Sequence, residues 1–164
     1  MKASFTTRQI AVCGIVAAIY AALTILTAPL SYGLVQFRLS EALVILCALE
    51  PKLGLGITIG CFLANLFSTV TALDIVVGTL ATALACLWTG RCRKLWFLPL
   101  PNVLTNGLLV GAMLAAVLFP QQLAEGFLLA FAQVAFGEAV VMVALGVPLY
   151  LFARRTDFLH RLLG

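Results

Sequence analysis

The sequence predicts an all-α integral membrane protein, a single bundle of six transmembrane helices with both termini in the cytoplasm. Three observations carry that prediction. The first is composition: 63% of the 164 residues are hydrophobic and 10% charged, against roughly a quarter charged in a soluble domain, and the mean hydropathy is +1.15. The second is the succession of apolar runs near the length, about 20 residues, that a helix needs to cross a bilayer. The third is the placement of charge. Lys2, Arg8, Lys52, Arg91, Arg93, Lys94, Arg154, Arg155 and Arg161 all fall on one side of a six-crossing layout, and Arg38 alone falls on the other. Short loops rich in Lys and Arg stay in the cytoplasm. The net charge of +4 therefore reports orientation and not nucleic-acid binding.

The spans follow in order. Span one covers Arg8 to Ala28 and is stopped by Pro29; its uncharged run is too long for a signal-peptide core, and further spans follow. An outer loop occupies Ser31 to Phe37. Span two, Leu39 to Glu50, is closed by Pro51. It is too short to cross a bilayer straight and is expected to pack inside the bundle or join the outer loop. Lys52 marks the inner turn, and span three covers Leu53 to Thr69. Asp74 opens span four, an N-terminal position that suits an acid. Gly90-Arg91-Cys92-Arg93-Lys94 ends that span inside. Span five is Pro101 to Phe119, before Pro120. Span six is Glu125 to Phe152, with a kink expected at Gly146 and Pro148.

Small residues recur four apart, a spacing that lets helix backbones approach closely. Gly14, Ala18 and Ala22 form one stripe on span one, with Ala17 and Ala21 beside it. Gly56 and Gly60 repeat the spacing on span three, and Gly107 and Gly111 on span five. Internal packing explains such pairs in general. The alanine-rich span one has a second reading, a face for another protein.

The polar residues at membrane depth carry the functional question, because charge there is costly and is usually paired or turned to a cavity. The ionisable candidates are Arg38, Glu41, Asp74 and Glu138; the neutral ones are Gln36, Asn65, Asn102 and Asn106. Arg38 and Glu41, three apart, share a helical face, either as a structural pair or as two walls of an outward-facing pocket. Glu138 interrupts the uncharged stretch from Gly126 to Ala153, as a buried structural group or a ligand contact. Asp74 reads as a surface cap or a pocket acid, and Asn65 as a bond between helices or a contact. Asn102 lies near the inner end and reads as a cap. If the four ionisable groups share one cavity, their formal charge is −2, which welcomes a cationic solute. A carboxylate also accepts two parallel N–H groups well, the pattern on the edge of a guanine-like base. Tyr32, Phe37 and Phe67 offer rings for stacking.

Other chemistries find no support. The five cysteines have no C-x-x-C spacing, and the single His160 lies in the polar tail, so the thiols read as reduced packing groups and neither a metal nor a cofactor is implied. No phosphate-binding G-x-x-x-x-G-K-[ST] is present, so the chain does not hydrolyse ATP itself. No nucleophile and base stand at catalytic spacing, and the chain reads as a non-enzyme.

The run from Ser31 to Leu46, Ser-Tyr-Gly-Leu-Val-Gln-Phe-Arg-Leu-Ser-Glu-Ala-Leu-Val-Ile-Leu, resembles the QueT family. Gly60 to Leu66, Leu73 to Thr82, Asn106-Gly107 with Gly111, and Gly137-Glu138 with Leu145 to Leu149 are similar to later segments of that family, so the likeness covers about Ile10 to Arg154. The resemblance implies a six-helix substrate-binding (S) component of an energy-coupling-factor transporter in the plasma membrane of a prokaryote. It would capture a queuosine precursor, 7-aminomethyl-7-deazaguanine or a close relative, and dock on a membrane coupling protein that carries two cytoplasmic ATPase subunits. Gln36, Arg38, Glu41, Asn65, Asp74, Asn106 and Glu138 would then line the solute site, with Glu41 or Glu138 on the base edge and Asp74 on the ammonium arm. Gly14, Ala17, Ala18, Ala21 and Ala22 would form the docking face. Two alternatives stay open: an S component for another small cationic solute, and a self-sufficient secondary transporter that uses Glu138 as a proton site.

Overall fold

Helix α1, Thr7–Leu26, begins where a capping box closes: the Thr6 hydroxyl accepts from the Gln9 backbone N–H, and the Gln9 side chain accepts from the Thr6 N–H. This computed structural model describes residues 5–32, 36–68 and 70–156, with Leu159 and Arg161 beyond them; Lys2, Gly33, Leu34, Val35, Thr69 and His160, met in the sequence, lie outside the described residues. No strand occurs among the described residues.

Pro29 does not stop the chain. A break at Thr27 is followed by the one-turn helix α2, Ala28–Ser31, with the proline in its first turn, where no backbone N–H donor is required. The short second segment is a 3-10 helix, Leu39–Ala48. Its i→i+3 bonding lengthens the rise to about 2.0 Å per residue. Ten residues thus reach roughly 20 Å, against about 15 Å as an α-helix. As expected from its length, it packs inside the bundle, touching α1 and the four later helices Leu53–Asn65, Leu73–Thr89, Leu123–Val141 and Val147–Thr156. Those are part of the series α3, Leu53–Asn65; α4, Leu73–Thr89; α5, Leu100–Leu118; α6, Leu123–Val141; and α7, Val147–Thr156. Around the central segment α1 packs on α3, α3 on α4, α4 on α5 and α5 on α6.

The kink expected at Gly146 and Pro148 takes the form of a π-turn over Met142–Gly146 between α6 and α7. Pro148 has no N–H to return to the carbonyl of Ala144. The turn widens, and the Val147 N–H reaches back five residues to the Met142 carbonyl.

Small residues set the helix spacing. A Cβ at Gly56 would stand 2.4 Å from the Cys13 carbonyl oxygen, and one at Gly60 would stand 2.6 Å from that of Ala17. The backbones of α1 and α3 are therefore in contact. The same contact divides the two stripes of α1. Ala17 is buried against α3 and Ala21 packs on the core beside it; Gly14, Ala18 and Ala22 face outward. The Ala17 methyl is thus covered within the chain, while the other stripe is exposed.

Polarity is inverted relative to a soluble fold. Large apolar side chains cover the outside, among them Ile10, Leu26, Val76, Leu128, Phe136 and Val143, all at least 60% exposed. Arg38, Glu41, Asp74 and Glu138 are at most 2% exposed. Lipid tails solvate the first set at no cost, and the second must find its partners inside the protein. The runs Thr7–Leu26, Leu95–Leu118 and Leu123–Thr156 are long and apolar enough to cross a membrane, and the other apolar helices are shorter.

Candidate functional site

The 3-10 segment carries the two central charges. Its i→i+3 geometry stacks Arg38 at its start under Glu41, whose N–H bonds to the Arg38 carbonyl at 2.9 Å. The side chains approach to 3.9 Å from Nη1 to Oε1, both buried. That distance is a loose ion pair, longer than a charge-assisted hydrogen bond. Glu41 is gripped elsewhere. Its Oε1 accepts from the hydroxyls of Tyr20 on α1 and Thr82 on α4, the latter at 2.7 Å. Its Oε2 is buried with no partner.

Arg38 lies with its guanidinium carbon 5.7 Å from the Tyr32 ring centroid, within cation–π range. The Tyr32 hydroxyl donates to the Ala64 carbonyl at 2.6 Å. Arg38 Nη1 makes a long contact, 3.9 Å, to Cys61 Sγ, while Nε and Nη2 are buried without acceptors.

Asp74, expected as a possible surface cap, is fully buried in the first turn of α4. The position suits the helix dipole, but burial makes the acid an internal group. Ser68 donates to its Oδ2 at 2.6 Å, and Oδ1 has no donor. Asn65 at the end of α3 donates Nδ2 to the Asp74 backbone carbonyl at 3.0 Å, and its Oδ1 is unpaired. The three residues converge over Gly78: a Cβ there would lie 2.8 Å from Asn65 Nδ2, 3.3 Å from Asp74 Oδ1 and 3.7 Å from Arg38 Nη1. Glycine leaves the room in which these groups meet.

A second polar group sits between α5 and α6. Asn102 Nδ2 donates to Glu138 Oε2 at 2.7 Å, and Asn106 Nδ2 bonds back to Asn102 Oδ1 at 3.1 Å. Asn102 is completely buried, so the end cap expected at that position is instead the partner of the deepest acid in α6. The Gln36 backbone rests on Gly137, where a Cβ would fall 2.3 Å from the Gln36 oxygen, and its Nε2 is buried without an acceptor.

The seven residues expected at the site are thus all buried in the bundle. Arg38, Glu41, Asn65 and Asp74 form one cluster, Glu138 and Asn106 a second, and Gln36 lies against the second. Among the described residues, seven buried side-chain polar atoms have no partner; six belong to five of these residues, and the seventh is Thr89 Oγ1. Among the stacking candidates Tyr32 reaches the cluster, Phe37 packs edge-on against Phe136, and Phe67 is 63% exposed. Sequence reasoning missed Tyr20, Thr82, Ser68 and the role of Asn102. A signal was available for Thr82, since Asp74, Gly78 and Thr82 run four apart down α4; Asn102 and Asn106 share a face in the same way on α5, but the position of Asn102 near the inner end favoured a cap.

A helical bundle with an apolar exterior and a buried, incompletely paired set of charges and amides has the build of a multi-pass membrane protein. The profile of the family described as QueT transporter matches residues 10–155, and the chain belongs to that family. The chain is 40% identical over 78 residues to the Queuosine precursor transporter QueT of Lactococcus lactis subsp. cremoris (strain MG1363). That match covers 46% of the chain and 46% of the relative, so the aligned part spans about half the length of the curated protein. No solved structure matches.

Proposed function

We propose that this chain is the substrate-binding membrane subunit of an energy-coupling-factor importer, taking up a queuosine precursor from outside a prokaryotic cell. Six crossings with both termini inside, and a separate coupling protein with two ATPase subunits to supply energy, complete that reading. The observation that carries it is the set of unpaired buried atoms. An unsatisfied buried polar atom costs about 1–3 kcal/mol, and six of them gathered on Gln36, Arg38, Glu41, Asn65 and Asp74 are a cost that a complementary solute offsets. The set contains three N–H donors, on Gln36 Nε2 and Arg38 Nε and Nη2, and three acceptors, Glu41 Oε2, Asn65 Oδ1 and Asp74 Oδ1. A flat base with a carbonyl, an N–H edge and an ammonium arm has the matching inventory. 7-Aminomethyl-7-deazaguanine is such a base: a carboxylate takes the N–H edge, Arg38 and Gln36 take the carbonyl, and Asp74 takes the ammonium. The name of the Lactococcus relative points to the same class of solute.

Calorimetric titration of the purified chain with 7-aminomethyl-7-deazaguanine, guanine and the 7-cyano analogue tests the substrate. Tight binding of the aminomethyl base and much weaker binding of guanine is the expected result; equal affinities would remove the ammonium contact. Reconstituted liposomes test the division of labour. Uptake by the chain alone under a proton gradient would overturn the subunit reading.

A further inference from the structure

Away from the central cluster, the bundle has a cavity of about 570 Å³ at the end that carries the basic residues. It lies between the start of α3 and the end of α4, with Gly54, Thr58, Ala83 and Cys86 among the residues that line it. Leu55 and Leu87, more than half exposed, form its apolar walls, and Lys52 and Arg91 stand at its mouth.

Neither cation has a counter-anion among the described residues. The Lys52 ammonium donates to the neutral Gln9 Oε1 at 2.9 Å and lies 5.7 Å from the Phe5 ring centroid. The nearby Glu50 carboxylate is held by the Lys52 backbone N–H at 3.2 Å. Arg91 Nη1 donates to the Leu87 carbonyl at 2.7 Å. No carboxylate is among the residues that line the cavity. Two unbalanced cations thus sit above an apolar slot. Read inward from the membrane surface, the order is cation, then leucine and alanine. An anionic phospholipid has that order of charge and chain.

We propose that this slot binds one anionic phospholipid, its phosphate between Lys52 and Arg91 and one acyl chain along Leu55, Ala83 and Leu87. Basic pockets between transmembrane helices recognise such head groups through charge, and the apolar slot supplies the rest of the contact. A zwitterionic lipid brings its own ammonium to the mouth and loses that preference.

Native mass spectrometry of the full chain, released from detergent and titrated with phosphatidylglycerol, phosphatidylcholine or glycerol 3-phosphate, reads the site. One phosphatidylglycerol per chain is expected at roughly tenfold lower concentration than phosphatidylcholine, with glycerol 3-phosphate weaker than either. The double variant Lys52→Gln, Arg91→Gln should abolish the preference. Arg93→Gln with Lys94→Gln, which removes the same charge outside the slot, should keep it. Ala83→Trp fills the slot without touching the cations and should weaken both lipids; an unchanged melting temperature shows that each variant is folded. Equal binding of the two lipids overturns the proposal and is the outcome if a protein partner is the natural occupant. So does an equal effect of the two double variants, no effect of Ala83→Trp, or glycerol 3-phosphate binding as tightly as the lipid.

Discussion

Replacing Asp74 by Asn separates the ligand's charge from its shape. The Asp74 carboxylate is fully buried; Oδ2 is held by Ser68 at 2.6 Å, and Oδ1 is free of any donor. Asparagine keeps the volume and an oxygen for Ser68 to donate to. It turns the free acceptor into an N–H donor. An ammonium arm at that atom then loses a charged hydrogen bond, worth about 1.5–3 kcal/mol, and meets a donor in its place. At about 1.4 kcal/mol per decade, the dissociation constant for 7-aminomethyl-7-deazaguanine should rise roughly ten- to hundredfold. The 7-cyano analogue has no ammonium and should change by less than about threefold, so the ratio of the two affinities is the diagnostic quantity. Calorimetry with both ligands measures it, and a thermal melt in the same detergent should show a change under about 1 kcal/mol, since the Ser68 bond survives. A folded variant with an unchanged ratio would refute the placement of the arm on Asp74. An equal loss for both ligands would make the acid a positioning group for the cluster and not a contact.

Three further outcomes follow from the same geometry. Glu138→Gln keeps an oxygen for Asn102 to donate to and puts an N–H donor where the other carboxyl oxygen stands. It should weaken solute binding by about tenfold or more while leaving expression and melting near wild type, and unaltered affinity would take Glu138 out of the site. Gly60→Val places side-chain carbon where a single Cβ already falls 2.6 Å from the Ala17 carbonyl oxygen. Overpacking of this kind costs about 1–3 kcal/mol, so the melting temperature should drop, and a wild-type melt would deny the backbone contact between α1 and α3. Ala18→Leu with Ala22→Leu changes the outward stripe of α1 only; solute affinity should be retained and copurification with the coupling protein lost. Survival of that copurification would show that the stripe faces lipid alone.

The membrane class was legible because it rests on composition and on the placement of Lys and Arg, properties that need no contacts. The buried polar cluster proposed as the site was legible in part for a related reason. Arg38, Glu41, Asp74 and Glu138 are rare in apolar runs, and rarity marks them wherever they fold. Their partners were harder. Tyr20 and Thr82 are ordinary residues in ordinary helices, and only the meeting of α1, α4 and the 3-10 segment makes them the two donors to Glu41. Asn102 looked like a cap because it lies near the inner end of its span; the packing of α6 on α5 brings Glu138 to it. Pro29 looked like a stop, although a proline in a first turn costs nothing.

By itself the sequence determined that this is an all-helical membrane chain, and that a few ionisable groups within it need an interior reason to exist. Bilayer energetics act residue by residue, so hydropathy and charge suffice. The tertiary structure decided which of those groups face one another and which atoms remain unpaired. It also decided that Ala17 points inward while Ala18 points out. Those are properties of helix rotation and of the 3-10 pitch of Leu39–Ala48. They are set by backbone contacts such as Gly60 on Ala17, which join residues far apart in the chain.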